Sequence, residues 1–329
     1  MKYFIQYKYN HSSGVTIVTT YNCNLNCSYC YEKDNRNSII VTDNKKLKLI
    51  WREINKLIKS QFCLSFFGGE PTLNKDAIFF FVNKLRQKKV NYSLKMITNG
   101  TLIDTVFVDF FKKNEFSHIQ FTFDGPKYLH DKDRGYFDKI ITSINLVKDI
   151  TKTIGIRYNV TIKNYKQIPL FLRELNQKIP STLKSKILLS IGYVDSKDIE
   201  LNYSQTKQAV RLMFSNCKKY KFDFLSKPTL RINKCPANTY LPVWVDLFGN
   251  KYFCERVIGM KEYIYKNQNG VYLPNCVSCN LYPVCGGICW AQKTFKQNYF
   301  FNCIMTEYLT KYYLLQRIKY EFKNKQDTR

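Results

Sequence analysis

Histidine, acidic residues and long apolar stretches are scarce in this sequence. Three of its 329 residues are histidine, and 25 acidic residues stand against 52 lysines and arginines, which gives a formal net charge of +27. The longest apolar run, residues 77–82, is far too short to cross a bilayer. The first eight residues mix polar and apolar side chains, so no secretory signal peptide is visible. We therefore expect a soluble, cytoplasmic protein with no membrane partner.

The shortage of negative charge leaves a basic surface, which can attract nucleic acid or acidic proteins. The lysines are spread along the chain, and Lys, Asn, Ile, Tyr and Phe are abundant together, which indicates a general composition bias. No recognisable RNA-binding module accompanies them. We therefore disfavour nucleic acid as a partner and retain an acidic peptide or an acidic electron carrier.

The twelve cysteines are too few for a disulfide scaffold in a chain of this length, and they are unevenly placed. Three lie between residues 23 and 30, and seven lie between residues 235 and 303. In a chain without a secretory signal, such clustering indicates metal or iron–sulfur binding in a reducing compartment.

Apolar, β-branched runs alternate with segments of helical period over the first two thirds of the chain. Predicted strands span residues 15–20, 62–67, 93–98, 118–123, 154–161 and 186–191. Predicted helices span residues 43–59, 75–88, 104–113, 137–152, 167–177 and 203–223. Repeated strand–helix units give a parallel sheet with right-handed crossovers. Six units are too few for a closed eight-stranded barrel, so we predict an α/β fold, a partial (β/α)6 barrel of the TIM type.

Four regions are expected along the chain. They are the partial barrel over residues 1–200, a helical bridge over 201–234, a small cysteine-rich domain folded around metal over 235–303, and a C-terminal helix over 304–329. Within the barrel, Cys23, Gly68, Asn99 and Asp124 each follow a predicted strand end. Ligands of parallel α/β folds collect at the C-terminal ends of strands, so one site is expected there.

The first motif is the spacing C-x3-C-x2-C formed by Cys23, Cys27 and Cys30, with no further cysteine before Cys63. A structural zinc site wants four ligands, and His11 is the nearest histidine. Three thiolates can instead hold a four-iron cluster with one iron open to another ligand. The cysteine trio therefore indicates an enzyme.

The trio resembles the signature of the radical S-adenosylmethionine (SAM) superfamily, C-x3-C-x-aromatic-C, with Tyr29 at the aromatic position. The resemblance implies that SAM chelates the open iron through its amino and carboxylate groups. It also implies that an electron from the cluster cleaves SAM into methionine and a 5′-deoxyadenosyl radical.

Two further turns fit the same resemblance. Residues 67–71, FGGEP, follow a predicted strand and resemble the GGE motif of the superfamily. Gly68 and Gly69 let the backbone approach a ligand, and Glu70 is expected to hold the SAM ammonium group. In the next turn, Thr98 and Asn99 are expected to meet the SAM ribose.

Residues 122–126, TFDGP, with Arg134 downstream, resemble the S-x-D-G…H-D-x-x-R segment of the peptide-modifying branch. Thr122 replaces the usual serine but keeps its hydroxyl, and both Thr122 and Asp124 are expected in the SAM pocket. Arg134 clamps the SAM carboxylate, clamps a substrate acid or forms a surface ion pair, and the sequence leaves these roles open. Asn159 is either a further SAM-pocket residue or a structural asparagine.

The seven downstream cysteines match the SPASM-domain pattern C-x9–15-G-x4-C…C-x2-C-x5-C-x3-C…C gap for gap, with Gly249 at the glycine position. A pair of zinc knuckles is the alternative, since C-x2-C pairs are common zinc ligands. Behind a radical SAM core, the resemblance favours two auxiliary clusters, which makes three [4Fe-4S] clusters in all. It assigns Cys276, Cys279, Cys285 and Cys303 to one auxiliary cluster and Cys235, Cys254 and Cys289 to the other.

The three-cysteine auxiliary cluster is one ligand short. Either Cys217 completes it, or one of its irons is open to solvent or substrate. Glu255 stands where sulfatase-maturating relatives carry an aspartate thought to act as a base, so it is a candidate catalytic base; a surface carboxylate is the alternative. Cys63, in a predicted buried strand, is interpreted as a small core residue.

The resemblance implies hydrogen-atom abstraction from a carbon of a bound polypeptide. The leading hypothesis is a maturase of a ribosomally made peptide that forms a thioether or carbon–carbon crosslink. Its partners would be the precursor peptide or protein and a flavodoxin- or ferredoxin-type electron donor. The alternatives are formylglycine formation on a sulfatase, peptide epimerisation and small-molecule dehydrogenation. RNA modification and non-enzymatic electron transfer are disfavoured.

Overall fold

The computed structural model describes residues 13–36, 43–112, 116–194, 199–224 and 243–252, with the single positions 258, 304, 307 and 311. Its first six strands are β1 (Ser13–Val18), β2 (Gln61–Phe67), β3 (Asn91–Thr98), β4 (Phe116–Phe123), β5 (Ile154–Val160) and β6 (Ile187–Tyr193). Its helices are α1 (Asn44–Asn55), α2 (Lys75–Arg86), α3 (Thr105–Phe111), α4 (Lys127–Asp133), α5 (Phe137–Leu146), α6 (Ile168–Lys178) and α7 (Tyr203–Tyr220). The predicted alternation of strands and helices is confirmed, whereas α4 was not predicted.

The strands form one sheet in the order β7–β6–β5–β4–β3–β2–β1–β8–β9. The added strands are β7 (Asp223–Phe224), β8 (Val243–Asp246) and β9 (Lys251–Tyr252). Neighbours from β1 to β7 are parallel, which confirms the predicted open α/β sheet. β8 is parallel to β1, and β9 is antiparallel to β8. Residues 243–252, which the sequence analysis assigned to the cysteine-rich region, therefore extend the sheet of the barrel.

Side-chain caps fix several helix starts. Asp43 accepts a hydrogen bond from the Lys45 backbone at the start of α1, and Asn202 forms a capping box with Gln205 at the start of α7. Such caps satisfy N–H groups that the first turn leaves unpaired. Among the described helices, none has the length and apolarity that a membrane crossing requires.

Alternate residues of each strand point to opposite faces of the sheet. On the outward face, apolar side chains are fully buried against the helices: Leu64, Phe66, Leu94, Met96, Ile119, Phe121, Ile156 and Tyr158. On the inward face, the intervening residues line a cavity: Phe67, Ile97, Gln120, Thr122, Arg157 and Asn159. Burial of the outward set contributes about 1.5–3 kcal/mol per large side chain and holds the strand ends in position.

Candidate active site

A cavity of about 200 Å³ lies at the carboxyl ends of the parallel strands. Most of the site residues predicted before position 200 line it, namely Cys23, Cys27, Tyr29, Cys30, Gly68, Gly69, Thr98, Asn99, Thr122 and Arg134. Glu70 and Asp124 lie behind this lining and bind residues within it. The structure therefore brings four separate motifs to one place.

Amide side chains fasten the cysteine loop, residues 23–30, to the turn after β3. Asn24 donates to the Thr101 hydroxyl at 2.7 Å and accepts from Asn99 Nδ2 at 2.9 Å. Asn99 Nδ2 also lies 3.7 Å from the Sγ atom of Cys23. The predicted residue Asn99 thus contacts the cysteine loop directly.

Arg36 is a positively charged neighbour of the loop that the sequence analysis missed. Its Nη1 donates to the Leu25 carbonyl at 2.8 Å and to the Asn26 side chain at 3.0 Å. It lines the cavity together with the three cysteines. A guanidinium in this position favours the thiolate form of neighbouring cysteines.

The three cysteines fit a cluster in which each iron takes one thiolate. Burial raises the pKa of the Cys27 thiol to about 11 and also raises the pKa of Cys23, so metal binding must release their protons. In the described ranges, no three His, Cys, Asp or Glu side chains are placed to hold a single metal ion. Thiols that share a cavity without converging on one ion suit a cluster, because its irons are spread over a larger volume.

The glycine turn after β2 lies against the chain that leads into the cysteine loop. Gly69 N donates to the Thr20 carbonyl and Glu70 N to the Asn22 carbonyl, both at 2.9 Å. Gly68 has a φ of +147°, and a Cβ on Gly69 would lie 2.7 Å from the carbonyl carbon of Asn22. Because the two backbone segments approach so closely, only glycine fits at positions 68 and 69.

Glu70 does not face the cavity as expected. It is fully buried, and its Oε1 accepts hydrogen bonds from the Thr72 backbone (3.1 Å), the Thr72 hydroxyl (2.5 Å) and the Thr98 hydroxyl (2.6 Å). Its Oε2 accepts from Asn99 N at 2.6 Å. Burial raises the pKa of Glu70, and these hydrogen bonds oppose the shift. Glu70 thus fixes the turns after β2 and β3 to each other, and its expected contact with the SAM ammonium group stays a prediction.

The polar groups of the Thr98–Asn99 turn are used largely within the turn itself. The Thr98 hydroxyl, besides binding Glu70, accepts from Gly100 N at 2.9 Å. The Asn99 side-chain oxygen accepts from both the backbone and the hydroxyl of Thr101, at 2.9 and 2.7 Å. Both residues line the cavity, with their side chains fixed by these bonds.

Tyr29 is the centre of a buried network that joins the cysteine loop to β4 and β5. Its hydroxyl lies 2.6 Å from both carboxylate oxygens of Asp124 and accepts from Arg134 Nη2 at 2.8 Å and from Asn159 Nδ2 at 3.0 Å. Burial raises the pKa of the phenol, so Tyr29 stays a donor. Arg134 Nε binds Asp124 at 3.1 Å, with the two side chains 10% and 5% exposed. The ion pair is therefore buried, which excludes the surface-pair interpretation of Arg134.

Glu32, Gln120 and Arg157 also line the cavity and were not predicted. Glu32 is buried, and its Oε1 has no hydrogen-bond partner within the described part of the chain. Burial raises its pKa to about 7. Arg157 could have been found from the sequence, because a charged residue inside a predicted buried strand rarely lacks a specific purpose.

Two further cysteines occupy described positions. Cys217 lies on α7, faces the apolar core and is 2% exposed, and burial raises the pKa of its thiol to about 12. This placement favours a packing role over the proposed role as a cluster ligand. Cys63 is half-buried on the inward face, 3.8 Å from the Ser65 hydroxyl, so its interpretation as a core residue was wrong.

The remaining predicted site residues lie outside the described residues. They are the seven cysteines of the predicted SPASM domain, Cys235, Cys254, Cys276, Cys279, Cys285, Cys289 and Cys303, and the candidate base Glu255.

Comparison with known proteins supports the same reading of the site. Residues 17–175 match the family model described as "Radical SAM superfamily". A cysteine-type anaerobic sulfatase-maturating enzyme of Clostridium novyi is 35% identical over 141 residues, which is 38% of this chain and 37% of that enzyme. The radical SAM cyclopropyl synthase TigE of Paramaledivibacter caminithermalis is 24% identical over 324 residues, 84% of this chain and 67% of TigE. The match to the sulfatase-maturating enzyme thus spans little more than a third of its length.

Solved structures show the same fold. The structure of anSMEcpe with bound AdoMet and Cp18Cys peptide superposes with a TM-score of 0.72 at 19% identity, covering 93% of this chain and 98% of that chain. Streptococcus suis SuiB bound to precursor peptide SuiA gives a TM-score of 0.62 at 15% identity, covering 88% and 74%. The family uses a [4Fe-4S] cluster and SAM, and the cysteine trio and its cavity suit both. Residues 17–175 therefore form a radical SAM domain.

Proposed function

We propose that this enzyme modifies a ribosomally made peptide, removing a hydrogen atom from a carbon of the peptide and forming a thioether or carbon–carbon crosslink. The observation that carries the proposal is the convergence of the cysteine trio, the glycine turn and the Tyr29 network on one cavity. The similarity to the cyclopropyl synthase TigE, which extends over most of this chain, supports bond-forming chemistry. The fold shared with SuiB, which was solved with its precursor peptide, supports a peptide substrate.

The bound cluster and SAM supply an electron and the 5′-deoxyadenosyl radical. The chain's own residues bind and orient these groups and exclude water. Cys23, Cys27 and Cys30 would hold the cluster, and Gly68 and Gly69, which line the same cavity, let the turn after β2 pack closely against the chain leading to the trio. Asp124 neutralises Arg134, and the pair fixes the position of Tyr29 within the cysteine loop.

The second half of the proposal concerns residues 235–303, which we assign to a SPASM domain whose residues 243–252 add β8 and β9 to the barrel sheet. A bridge over 201–234, which contains α7 and β7, would precede it, and a C-terminal helix over 304–329 would follow. The SPASM domain would hold two auxiliary [4Fe-4S] clusters, one with Cys276, Cys279, Cys285 and Cys303 and one with Cys235, Cys254 and Cys289. Because Cys217 is buried in the core, an open iron in the three-cysteine cluster is the better proposal. Glu255 remains the candidate base, and a flavodoxin- or ferredoxin-type protein the proposed electron donor.

The decisive experiment is anaerobic incubation of the full chain with SAM, dithionite and the product of a short reading frame beside its gene. Mass spectrometry should show a peptide lighter by two hydrogen atoms, with a crosslink in its fragmentation pattern. Replacing Cys23, Cys27 and Cys30 together with Ala should abolish SAM cleavage. Cleavage that persists in that variant would refute the radical SAM assignment of the trio, whereas an unmodified peptide would refute the maturase.

Formylglycine formation on a sulfatase is the second candidate. It is supported by the 35% identity to the C. novyi enzyme and by the fold of anSMEcpe. The same assay with a cysteine-containing sulfatase-motif peptide separates the two functions. Conversion of that cysteine to formylglycine without crosslinking of the neighbouring reading-frame product would favour sulfatase maturation.

A further inference from the structure

The inward face of the sheet carries positive charge without matching negative charge. Lys95 on β3 and Arg157 on β5 project from this face, each three residues before the end of its strand. In the described parts of β2 to β6, the inward strand positions include no Asp or Glu. Asp124 follows β4, and Arg134 already neutralises it. Glu32 also lines the cavity, but it follows the cysteine loop and does not lie on the sheet, so a ligand meets positive charge along the strands.

Of these two basic residues, Arg157 is the one that lines the cavity. Its Nε donates to the Asn159 side chain at 3.0 Å. Its guanidinium lies across β6 at Gly192, where an added Cβ would be 2.6 Å from the Cζ atom. The absence of a side chain at Gly192 thus creates the space in which the guanidinium rests. Arg157 is accordingly held in one position rather than free to turn towards solvent.

The charge of Arg157 is uncompensated, in contrast to that of Arg134. Within the described ranges, Arg157 forms no ion pair, and its hydrogen-bond partner Asn159 is neutral. Arg134 is bound by both Asp124 and Tyr29. A half-buried guanidinium without a counter-ion loses hydration that only an anion restores in full. Unlike Arg134, Arg157 is therefore available to an anionic ligand; Arg36, the third arginine of the cavity, donates to oxygens of Leu25 and Asn26 in the cysteine loop.

The planar fork of terminal N–H groups on a guanidinium matches a carboxylate best. Two carboxylates can reach this cavity, that of SAM and that of a peptide. The cysteine trio follows β1 and the glycine turn follows β2, whereas Arg157 lies on β5, so three strand spacings of about 4.8 Å separate it from the glycine turn. The family resemblance places the methionyl carboxylate at the trio, and Arg157 is linked to that loop through Asn159 and Tyr29 rather than directly.

We propose that Arg157 binds a carboxylate of the substrate peptide and thereby fixes the register in which the peptide enters the cavity. This inference rests on the proposed peptide substrate and adds a specificity: an acidic residue near the residue that reacts. Asn159 links Arg157 to Tyr29 at 3.0 Å, so the peptide-binding side of the cavity is connected to the cysteine loop through two hydrogen bonds.

The test uses the full chain with its clusters reconstituted and two fluorescein-labelled peptides of Gly, Ser and Cys that differ in one Glu or Gln. Anisotropy titrations should show that the wild-type enzyme binds the Glu peptide about tenfold more tightly than the Gln peptide. The preference should vanish in Arg157→Gln and in Gly192→Ala, which displaces the guanidinium. Arg211→Gln, at an exposed position on α7, is the matched control and should retain it.

SAM affinity, measured by equilibrium dialysis on the same proteins, distinguishes the two sources of carboxylate. It should be unchanged in Arg157→Gln. A loss of SAM affinity in that variant, a Glu preference that survives it, or a wild-type enzyme without any preference would each overturn the proposal. Product formation by the wild-type enzyme is scored separately, so failure of the proposed function is recognised independently of these binding results.

Discussion

The two faces of the same sheet differ in composition, burial and task. On the outward face, residues such as Phe66 and Phe121 are completely buried and apolar. On the inward face, their direct neighbours Phe67 and Gln120 line the cavity together with Thr122. Because side chains alternate along a strand, each residue that stabilises the fold sits beside one that shapes the site. The outward face can therefore keep the strand ends in place while the inward face changes its chemistry.

The largest expected effect on stability comes from a substitution on the outward face, and it tests this difference between the two faces. Phe121→Ala should lower the free energy of unfolding by about 3–5 kcal/mol, because it removes a fully buried ring and leaves a cavity. The neighbouring substitution Gln120→Ala, on the inward face, should change it by less than about 1 kcal/mol. Urea unfolding followed by circular dichroism measures both. Equal losses of unfolding free energy in the two variants would contradict the proposed difference in role between the two faces.

Among the residues around the cavity, the buried Asp124–Arg134 ion pair is expected to contribute strongly to stability. Arg134→Met should destabilise the protein by about 3 kcal/mol, because it leaves the Asp124 carboxylate buried without its partner. Adding Asp124→Asn should recover much of that loss, since the uncompensated charge is then gone. The double-mutant cycle is measured by the same urea titrations. A double variant no more stable than Arg134→Met would show that the pair acts through something other than charge.

Low pH should lower the free energy of unfolding through a buried histidine. His130 on α4 is fully buried against Phe123 and Phe137, accepts from Asp124 N at 3.1 Å, and burial lowers its pKa from 6.5 to about 4. In the unfolded chain His130 is protonated below about pH 6.5, whereas in the folded chain it is protonated only below about pH 4. The free energy of unfolding therefore falls as the pH drops from 6.5 to 4. The expected contribution is about 3 kcal/mol.

His130→Gln isolates this contribution. Carboxylates with lowered pKa also weaken the fold in acid, so the quantity of interest is the difference in slope between wild type and variant. Urea midpoints between pH 7 and pH 4 should fall less steeply in the variant. Parallel slopes would mean that His130 takes up its proton in the folded state as readily as in the unfolded chain.

The smallest effect is expected far from either face. Lys178 pairs with Asp138 at 2.8 Å on the surface, with side chains 38% and 53% exposed. Solvent screens such pairs, so Lys178→Ala should cost between 0 and about 1 kcal/mol. A thermal unfolding midpoint within a few degrees of wild type is the expected result. A substantially larger loss of stability would mean that Lys178 has a structural role between α5 and α6 beyond this ion pair.

The sequence was most informative where local chemistry decides the structure. The strand alternation, the cysteine spacing and the glycine turn each depend on residues close together in the chain, and their predicted positions are found at one cavity. Pairing of β8 with β1 could not be predicted, because it depends on contacts between distant segments. The orientation of Glu70 was missed for a similar reason: its four hydrogen bonds come from two turns, and a motif shows neither the distances nor the direction of a carboxylate.

Arg157 illustrates a different limit. Its position in a predicted strand was visible, but its meaning depends on Gly192 in the next strand and on the absence of an acidic neighbour in the described part of the inward face. Neither fact is available before the register is known. The predicted SPASM residues lie outside the described residues, so those predictions stand as proposals.

The network around Tyr29 has a consequence for how the protein is made. Tyr29 binds Asp124 and Asn159, which lie 95 and 130 positions farther along the chain. At synthesis rates of about 5–20 residues per second, roughly 7 to 26 seconds pass between the appearance of Tyr29 and that of Asn159. During that interval the three thiols have left the ribosome without a pocket around them. A fragment ending before β5 would accordingly carry the complete cysteine motif and yet lack the environment that holds it in place.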